Sequence, residues 1–438
     1  MSNKQHSTTI TLPRGTLDLT YQINSATSSH SSNKQGSDNF DHYQLEDLLG
    51  FAQRINPKRA FLFVSKVLGR HIPVAPSTIR YAFTELANLV PSQLPEPILV
   101  IGMAETAVGL SAGVHQALQT RYPNALLLNS TRHAQHTADS TESLLTTFSE
   151  DHSHASQHLI YQSADKVTQD QLLTSKTLIM VDDEASTGNT CVNVVTALRN
   201  AGLTQLEQVH LTTLVDWSLD QNKTDETGDS AIPEQMAARL AGVDFHRHHL
   251  LSGAWQWTDA PNPEPIIMPS VDTTEAGSQA LGHTGGWGRF PTIDSTDGFD
   301  NYLSRFQTSF TKFSGQDNFA VAQLPKKILV LGSNEFVWLP FLLAEWLEMH
   351  TQRQEANTES TVNFSALTRS PIALGGAITT MLSFSDNYGL GMTNFVYNVE
   401  PNDWDLIVLC VETSVDSVDD MWKGLDNVLV VGADSGHD

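Results

Sequence analysis

The chain has 438 residues, of which 40% are hydrophobic and 17% charged, and its formal net charge at pH 7 is -24. That length allows two or three domains with a sizeable core. The excess of carboxylates excludes a nonspecific binder of nucleic acid or of an anionic membrane, because either needs clustered Lys and Arg to neutralise phosphates.

Two cysteines, Cys191 and Cys410, sit in apolar contexts with no C-x-x-C spacing, as buried thiols in a reducing compartment do. The first residues lack a basic start followed by an apolar core, and no apolar run approaches the roughly twenty residues of a membrane span. The expected location is the cytoplasm. Residues 1–39 are expected to be a disordered tail, since 25–39 is polar and Ser-rich and buries too little to order. Order should resume at His42, where Leu45, Leu48, Leu49 and Ala52 recur at helical spacing until Pro57 interrupts. Lys58, Arg59, Lys66 and Arg70 then concentrate cations in an otherwise acidic chain, and His246-Arg247-His248-His249 adds more.

Ile98-Leu99-Val100-Ile101, introduced by Pro97, reads as a buried strand entering a small-residue loop, Gly102 to Gly109, with helix from there to about Tyr122. Gly109-Leu110-Ser111-Ala112-Gly113 matches the G-x-S-x-G elbow of hydrolases. In that motif the serine sits on the turn directly after its strand, whereas Ser111 falls well past Gly102, so a small-residue packing face inside a helix is expected. Arg132 to His158 is polar and rich in histidine (His133, His136, His152, His154, His158), and a loop of this length within a domain is usually functional. The His152-x-His154 and His154-x-x-x-His158 spacings lack carboxylate or cysteine partners at set spacing, so no metal site is assigned to them.

The most informative stretch is Val181-Asp182-Asp183-Glu184-Ala185-Ser186-Thr187-Gly188-Asn189-Thr190. It follows the apolar run Thr177 to Val181, a strand buried on both faces of a parallel sheet. The carboxyl end of such a strand faces the ligand crevice, where the acceptors Asp182 and Asp183 can grip the 2′- and 3′-hydroxyls of a ribose. Gly188 lets the backbone approach an anion, Ser186, Thr187 and Thr190 offer hydroxyls, and the amides of the helix Cys191 to Asn200 favour a phosphate. A carboxylate pair at a strand end also fits a magnesium site in another α/β protein, but a P-loop would need G-x-x-x-x-G-K-[ST], which does not occur.

This decapeptide resembles the 5-phosphoribosyl-1-pyrophosphate (PRPP) loop of type I phosphoribosyltransferases. The resemblance implies a magnesium-dependent displacement of pyrophosphate from C1 of PRPP by a nitrogen base. It places Asp182 and Asp183 at the ribose as the catalytic acids, and Ser186, Thr187, Gly188, Asn189 and Thr190 at the 5′-phosphate. Ala104, Glu105 and Thr106 fall at the pyrophosphate loop, Lys66 and Arg132 are candidates for the substrate's anionic groups, and the Arg132 to His158 segment is a lid. Magnesium is expected on substrate oxygens and water, with no protein metal cage.

Residues 258–298, rich in Gly, Pro, Thr and Asp, form the expected linker. Beyond it Phe299, Tyr302, Leu303, Phe306, Phe310 and Phe313 make a helical stripe. Strand-like runs recur at 328–331, 362–367, 406–411 and 428–431. Thr368-Arg369-Ser370-Pro371, with Asn334-Glu335-Phe336-Val337-Trp338, Asp386-Asn387-Tyr388-Gly389 and Asn394-Phe395-Val396-Tyr397-Asn398, resembles the TRSP domain, which in one bacterial family follows a divergent phosphoribosyltransferase. Arg54 to Pro76 resembles that family's amino-terminal half. Asn334 stands where the family run begins with glycine. The family occurs in tellurium-resistance and stress-response gene clusters and is associated with a nucleoside-like metabolite. Thr368, Arg369 and Ser370 are the ligand candidates of this domain, with a structural alternative in which Arg369 pairs with Glu335 or Glu412.

The expected architecture is therefore α/β: a type I phosphoribosyltransferase-like parallel-sheet domain at 40–257, then a smaller α/β TRSP-like domain at 299–438. The expected partners are PRPP and a base, with a homodimer allowed, and neither nucleic acid nor membrane. The rival reading is a noncatalytic PRPP- or nucleotide-sensing module acting on a protein partner. A third makes the second domain a separate hydrolase or transferase acting on the first domain's product.

Overall fold

A computed structural model describes residues 5–24, 43–54, 59–134, 143–149, 157–218, 220–224, 230–231, 238–263, 265–266, 288–352 and 360–432. The first part of the chain carries β1 (His6–Leu12), β2 (Gly15–Ile23), α1 (Leu45–Leu48), β3 (Leu49–Gln53), β4 (Phe61–Ser65), α2 (Pro76–Leu89), β5 (Ile98–Gly102), α3 (Val108–Leu118) and β6 (Leu126–Asn129). There follow β7 (Leu144–Ser149), β8 (Gln157–Tyr161), α4 (Lys166–Leu173), β9 (Thr177–Ala185), α5 (Asn189–Asn200), β10 (Gln208–Asp216), the short β11 (Asp220–Thr224) and β12 (Ser230–Ala231), and β13 (Asp244–Asp259). The second part carries α6 (Phe299–Ser314), β14 (Lys327–Ser333), α7 (Trp338–Gln352), β15 (Thr361–Leu367), β16 (Met381–Ser385), β17 (Thr393–Tyr397), β18 (Leu406–Val411), α8 (Asp420–Lys423) and β19 (Val428–Gly432).

The first sheet has the order β1-β2-β13-β10-β9-β5-β6, parallel from β13 to β6. Strands buried on both faces need unbroken apolar runs, and β5 is buried at every position. The second sheet, β15-β14-β18-β19, is wholly parallel and sits where the apolar runs of the second part predict it. The protein is thus α/β, with a parallel-dominated phosphoribosyltransferase-like sheet followed by a smaller one. The aromatic stripe forms α6, with Tyr302, Phe306 and Phe310 buried and Phe313 exposed.

Three expectations are corrected. The tail expected through residue 39 is ordered over β1 and β2, a hairpin that pairs antiparallel with β13. Leu12, Leu17 and Leu19 are its buried hydrophobic positions, and Gly15, also buried, sits where a Cβ would lie 2.3 Å from the Thr258 carbonyl oxygen. The Ser-rich stretch itself lies outside the described residues. The helix expected from His42 is only α1; the chain then turns into β3, which pairs with β4. In the expected linker, residues 288–293 run along the first sheet, Leu127 and Thr292 exchanging backbone hydrogen bonds of 2.7 and 3.0 Å.

Within the expected lid, β7 and β8 form an antiparallel hairpin with Phe148 stacked on a buried His158. His136, His152 and His154 lie outside the described residues.

The two sheets share one hydrophobic core. Phe83 of α2 packs on Trp338 and Phe341 of α7, and it enters α3 at Gly113, where a Cβ would lie 1.9 Å from its ring. Arg80 of α2 forks onto Glu345 of α7 at 2.7 and 2.8 Å. Among the described residues no helix is long and apolar enough to cross a membrane.

Candidate active site

β9 runs four residues past Val181, because Asp182 and Glu184 stay in register with Thr213 and Val215 of β10. Asp182 and Asp183 therefore project from successive positions at the carboxyl edge of the sheet, both half-buried, and the Asp183 amide donates to Asp182 Oδ1 at 2.9 Å. α5 starts from Gly188, whose φ of 73° is left-handed and favours glycine. Gly188 offers no capping side chain, the Asn189 amide reaches only the Thr187 hydroxyl at 3.4 Å, and the first-turn amides of such a helix suit an anion.

Asp182, Asp183 and the whole 186–190 loop line a cavity of about 300 Å³, whose other walls include Ala104, Thr106, Arg132, Arg54 and Arg59. Arg59 is the cation that spacing could not single out. It forks onto Glu184 at 2.7 and 3.1 Å, over the rings of Phe61 and Phe63. Burial raises the Glu184 carboxyl above its ordinary value, with Arg59 opposing.

The loop after β5 is tied to the loop after β6. The Ala104 amide donates to Ser130 Oγ at 3.0 Å, and the Ser130 amide donates to the Gly102 carbonyl at 3.0 Å. Ala104 and Thr106 face the cavity, whereas Glu105 turns away into the contact between the domains and ion-pairs with the buried Arg70. Burial pulls the Arg70 guanidinium down to about 9, with Asp183 opposing, so it remains a cation at pH 7.

Lys66 lies elsewhere, its ammonium donating to the Glu46 carbonyl at 2.9 Å. Thr368, Arg369 and Ser370 do not line the cavity; the Thr368 hydroxyl accepts from the Ser370 amide at 3.1 Å. Arg369 pairs with neither Glu335 nor Glu412. It points at Glu105 Oε2, 3.8 Å away, and at His133 Nε2, 3.4 Å away. Both of those acids are held instead by Arg289, which meets Glu412 at 2.6 and 2.8 Å and Glu335 at 3.1 and 3.2 Å. Arg289 sits in the Gly- and Pro-rich stretch, where only its charge marked it. Arg247 is occupied by Ser218 at 2.9 Å and Asp216 at 3.7 Å.

Ser111 is buried inside α3 and donates to the Val108 carbonyl and Asn129 Oδ1, in keeping with a packing face and not an elbow. Among the described residues no group of three His, Cys, Asp or Glu side chains is placed to hold a metal. The oxygen-only donors Asp182 and Asp183 fit a magnesium ion that keeps substrate oxygens and water as its other ligands.

Residues 48–243 match the family described as phosphoribosyl transferase, and residues 301–429 match the TRSP domain that lies C-terminal to it. Solved structures are similar over part of the chain. One is adenine phosphoribosyl transferase from Trypanosoma brucei in complex with AMP, pyrophosphate and ribose-5-phosphate, at 14% identity over 47% of this chain and 77% of that one, TM-score 0.29. Another is adenine phosphoribosyltransferase from Rhodothermus marinus DSM 4252, at 16% identity over 47% and 95%, TM-score 0.28. A hypoxanthine phosphoribosyltransferase from Staphylococcus aureus is 12% identical over 41% and 78%, TM-score 0.23. No curated protein matches the chain. With both halves matched in this order, the chain belongs to the family in which a phosphoribosyltransferase domain is followed by a TRSP domain.

Proposed function

We propose that the protein transfers the phosphoribosyl group of Mg-PRPP to a nitrogen base, releasing pyrophosphate and forming a nucleotide-like product. The observation that carries this reading is one cavity shared by the Asp182-Asp183 pair, the start of α5 and the 104–106 loop. Those three features match the ribose hydroxyls, the 5′-phosphate and the pyrophosphate of a single substrate. In the reaction the bond from C1 to the pyrophosphate oxygen breaks, the bond from C1 to the base nitrogen forms, and the proton that the nitrogen loses passes to the departing pyrophosphate or to water. Magnesium, when bound, offsets the charge of the leaving group.

The chain's own residues do the rest. Asp182 and Asp183 accept the ribose hydroxyls and stand near the positive charge that develops at C1, which suits an oxocarbenium-like state. The 186–190 loop fixes the phosphate end, so that C1 is held in line between base and leaving group. Arg132 and the Thr106 hydroxyl meet the pyrophosphate, and the β7–β8 hairpin is the part we assign to excluding water. On the TRSP resemblance we assign the product to a stress or tellurium-resistance pathway in the cytoplasm.

The test is Asp182→Asn with Asp183→Asn. The double variant should keep the wild-type circular dichroism spectrum and lose calorimetric binding of Mg-PRPP by about a hundredfold, as the loss of two charge-assisted contacts of roughly 1.5 kcal/mol each predicts. Unchanged affinity in a folded double variant removes the ribose assignment.

A further inference from the structure

The loops that follow the strands of the two parallel sheets meet across the domain boundary, and side chains from both sides interlock there. Glu335, two residues past β14, accepts the Arg132 amide at 2.8 Å and the Thr131 hydroxyl at 2.5 Å. Arg369, two residues past β15, faces Glu105 Oε2 at 3.8 Å. Arg70 holds the other oxygen of Glu105 and donates to the carbonyl of Asn334 at 2.7 Å. Ser130 ties the two first-domain loops to each other. Ala104, Thr106 and Arg132, the wall of the cavity given above to pyrophosphate, thus stand on loops whose outer anchors belong to the second domain.

We propose that the second domain is a working part of the phosphoribosyltransferase site, with Glu335 and Arg369 as positioning residues that hold the 103–107 and 130–133 loops in the geometry that receives pyrophosphate. This rests on the functional reading above and assigns the TRSP domain a role in it.

Charge explains why the 103–107 loop needs anchors at all. A pyrophosphate loop that carries a carboxylate repels its ligand unless that carboxylate is turned away and neutralised. Glu105 is 6% exposed and lies between the guanidinium groups of Arg70 and Arg369, so its charge is answered within the protein and its loop presents Ala104 and Thr106 to the cavity. Glu335 receives donors from Thr131, Arg132 and Arg289, and a buried polar group satisfied in this way fixes the loop that supplies those donors. The Arg80–Glu345 pair between α2 and α7 also joins the domains, but none of its residues lines the cavity. It separates positioning from simple adhesion.

The experiment uses full-length protein carrying Arg369→Met, Glu335→Gln or, as the control, Arg80→Met. Amide hydrogen exchange is measured without ligand, melting temperature is recorded, and binding of Mg-pyrophosphate, Mg-PRPP and ribose 5-phosphate is measured by calorimetry. Arg369→Met and Glu335→Gln should speed exchange in the 103–107 and 130–133 loops and weaken Mg-pyrophosphate and Mg-PRPP by about tenfold or more, with ribose 5-phosphate within about twofold. Arg80→Met should lower the melting temperature and leave the three affinities within about twofold of wild type. Unchanged exchange and affinity in the first two variants overturns the proposal, and so does an equal loss of pyrophosphate affinity in Arg80→Met. Should wild type bind no Mg-PRPP, the functional reading falls, and the loop exchange rates still decide: faster exchange supports the positioning role and unchanged exchange overturns it.

Discussion

Arg289→Met is expected to destabilise the protein by roughly 3–5 kcal/mol at pH 7, the range for breaking a buried ion pair and leaving its acid uncompensated. The guanidinium serves two carboxylates at four distances between 2.6 and 3.2 Å, and all three side chains are at most 5% exposed. After its loss Glu335 keeps the Thr131 hydroxyl and the Arg132 amide, while Glu412 keeps the Tyr388 hydroxyl at 2.7 Å. Two acids that share one cation do not add, so the range for a single pair is the expected size. The sign with pH follows from Glu335. Burial alone would raise its carboxyl, but His133 once protonated in acid, Arg289, the Arg132 amide and the Thr131 hydroxyl hold it well below the ordinary value of 4.5. His133, 3.9 Å away, is pushed down to about 3 by burial and is neutral at pH 7, so it supplies no cation there. In wild type this carboxylate contributes stability above about pH 4.5 that is lost as pH falls through the lower folded-state value. In Arg289→Met the folded-state pKa of Glu335 rises, so the defect is largest at neutral pH and shrinks as the acid protonates. Urea unfolding followed by tryptophan fluorescence at pH 7 and pH 5 measures both quantities. A defect under about 1 kcal/mol at pH 7, or one that grows on acidification, refutes the reasoning.

Gly113→Val should destabilise by about 1–3 kcal/mol or more, because its Cβ would fall 1.9 Å from the Phe83 ring; a melting temperature equal to wild type would mean that α2 and α3 can separate without loss. Arg59→Met, which removes the fork on Glu184 inside the cavity, should weaken Mg-PRPP about tenfold, whereas Lys66→Met should change it by less than about twofold. Calorimetry on the pair decides which cation serves the substrate. Burial pushes the thiols of Cys191 and Cys410 up to about 12, so at pH 8 a thiol reagent should label neither in folded protein and both in urea; labelling of the folded chain would show that one of these sites opens.

The parts legible in the sequence are those whose physics is contiguous. The strand, carboxylate pair, loop and helix from 177 to 200 follow one another without a gap, and the four apolar runs of the second domain suffice to place its sheet. β9 outran its expected end because Asp182, Asp183 and Glu184 read as loop by composition, while the ladder to β10 keeps them extended. Leu45, Leu48, Leu49 and Ala52 have helical spacing, yet pairing between Leu49–Gln53 and Phe61–Ser65 overrode it after one turn. The β1–β2 hairpin was readable from the alternation of Leu17, Leu19 and Tyr21 after Gly15, but the Ser-rich composition that follows outweighed it. Arg59 showed only as one of a cluster of cations, Glu335 only as part of the TRSP-like run, and Arg289 only as a charge. Their partners lie 125, 46 and 204 positions away, and only folding brings the charges together.

The amino-terminal hairpin has a practical consequence, because the family match begins at residue 48 while the first strand begins at His6. A protein shortened at its amino end alone, to start where that match starts, would lose the cover of β13, a 16-residue strand, and bare the main-chain donors and acceptors that now pair with β2 from Gly15 to Ile23. An open edge of that length is a template on which copies of the chain add to one another. The homology boundary and the solubility boundary of this molecule are therefore different residues, and a shortened form that precipitates would report on its uncovered edge and not on the integrity of its catalytic half.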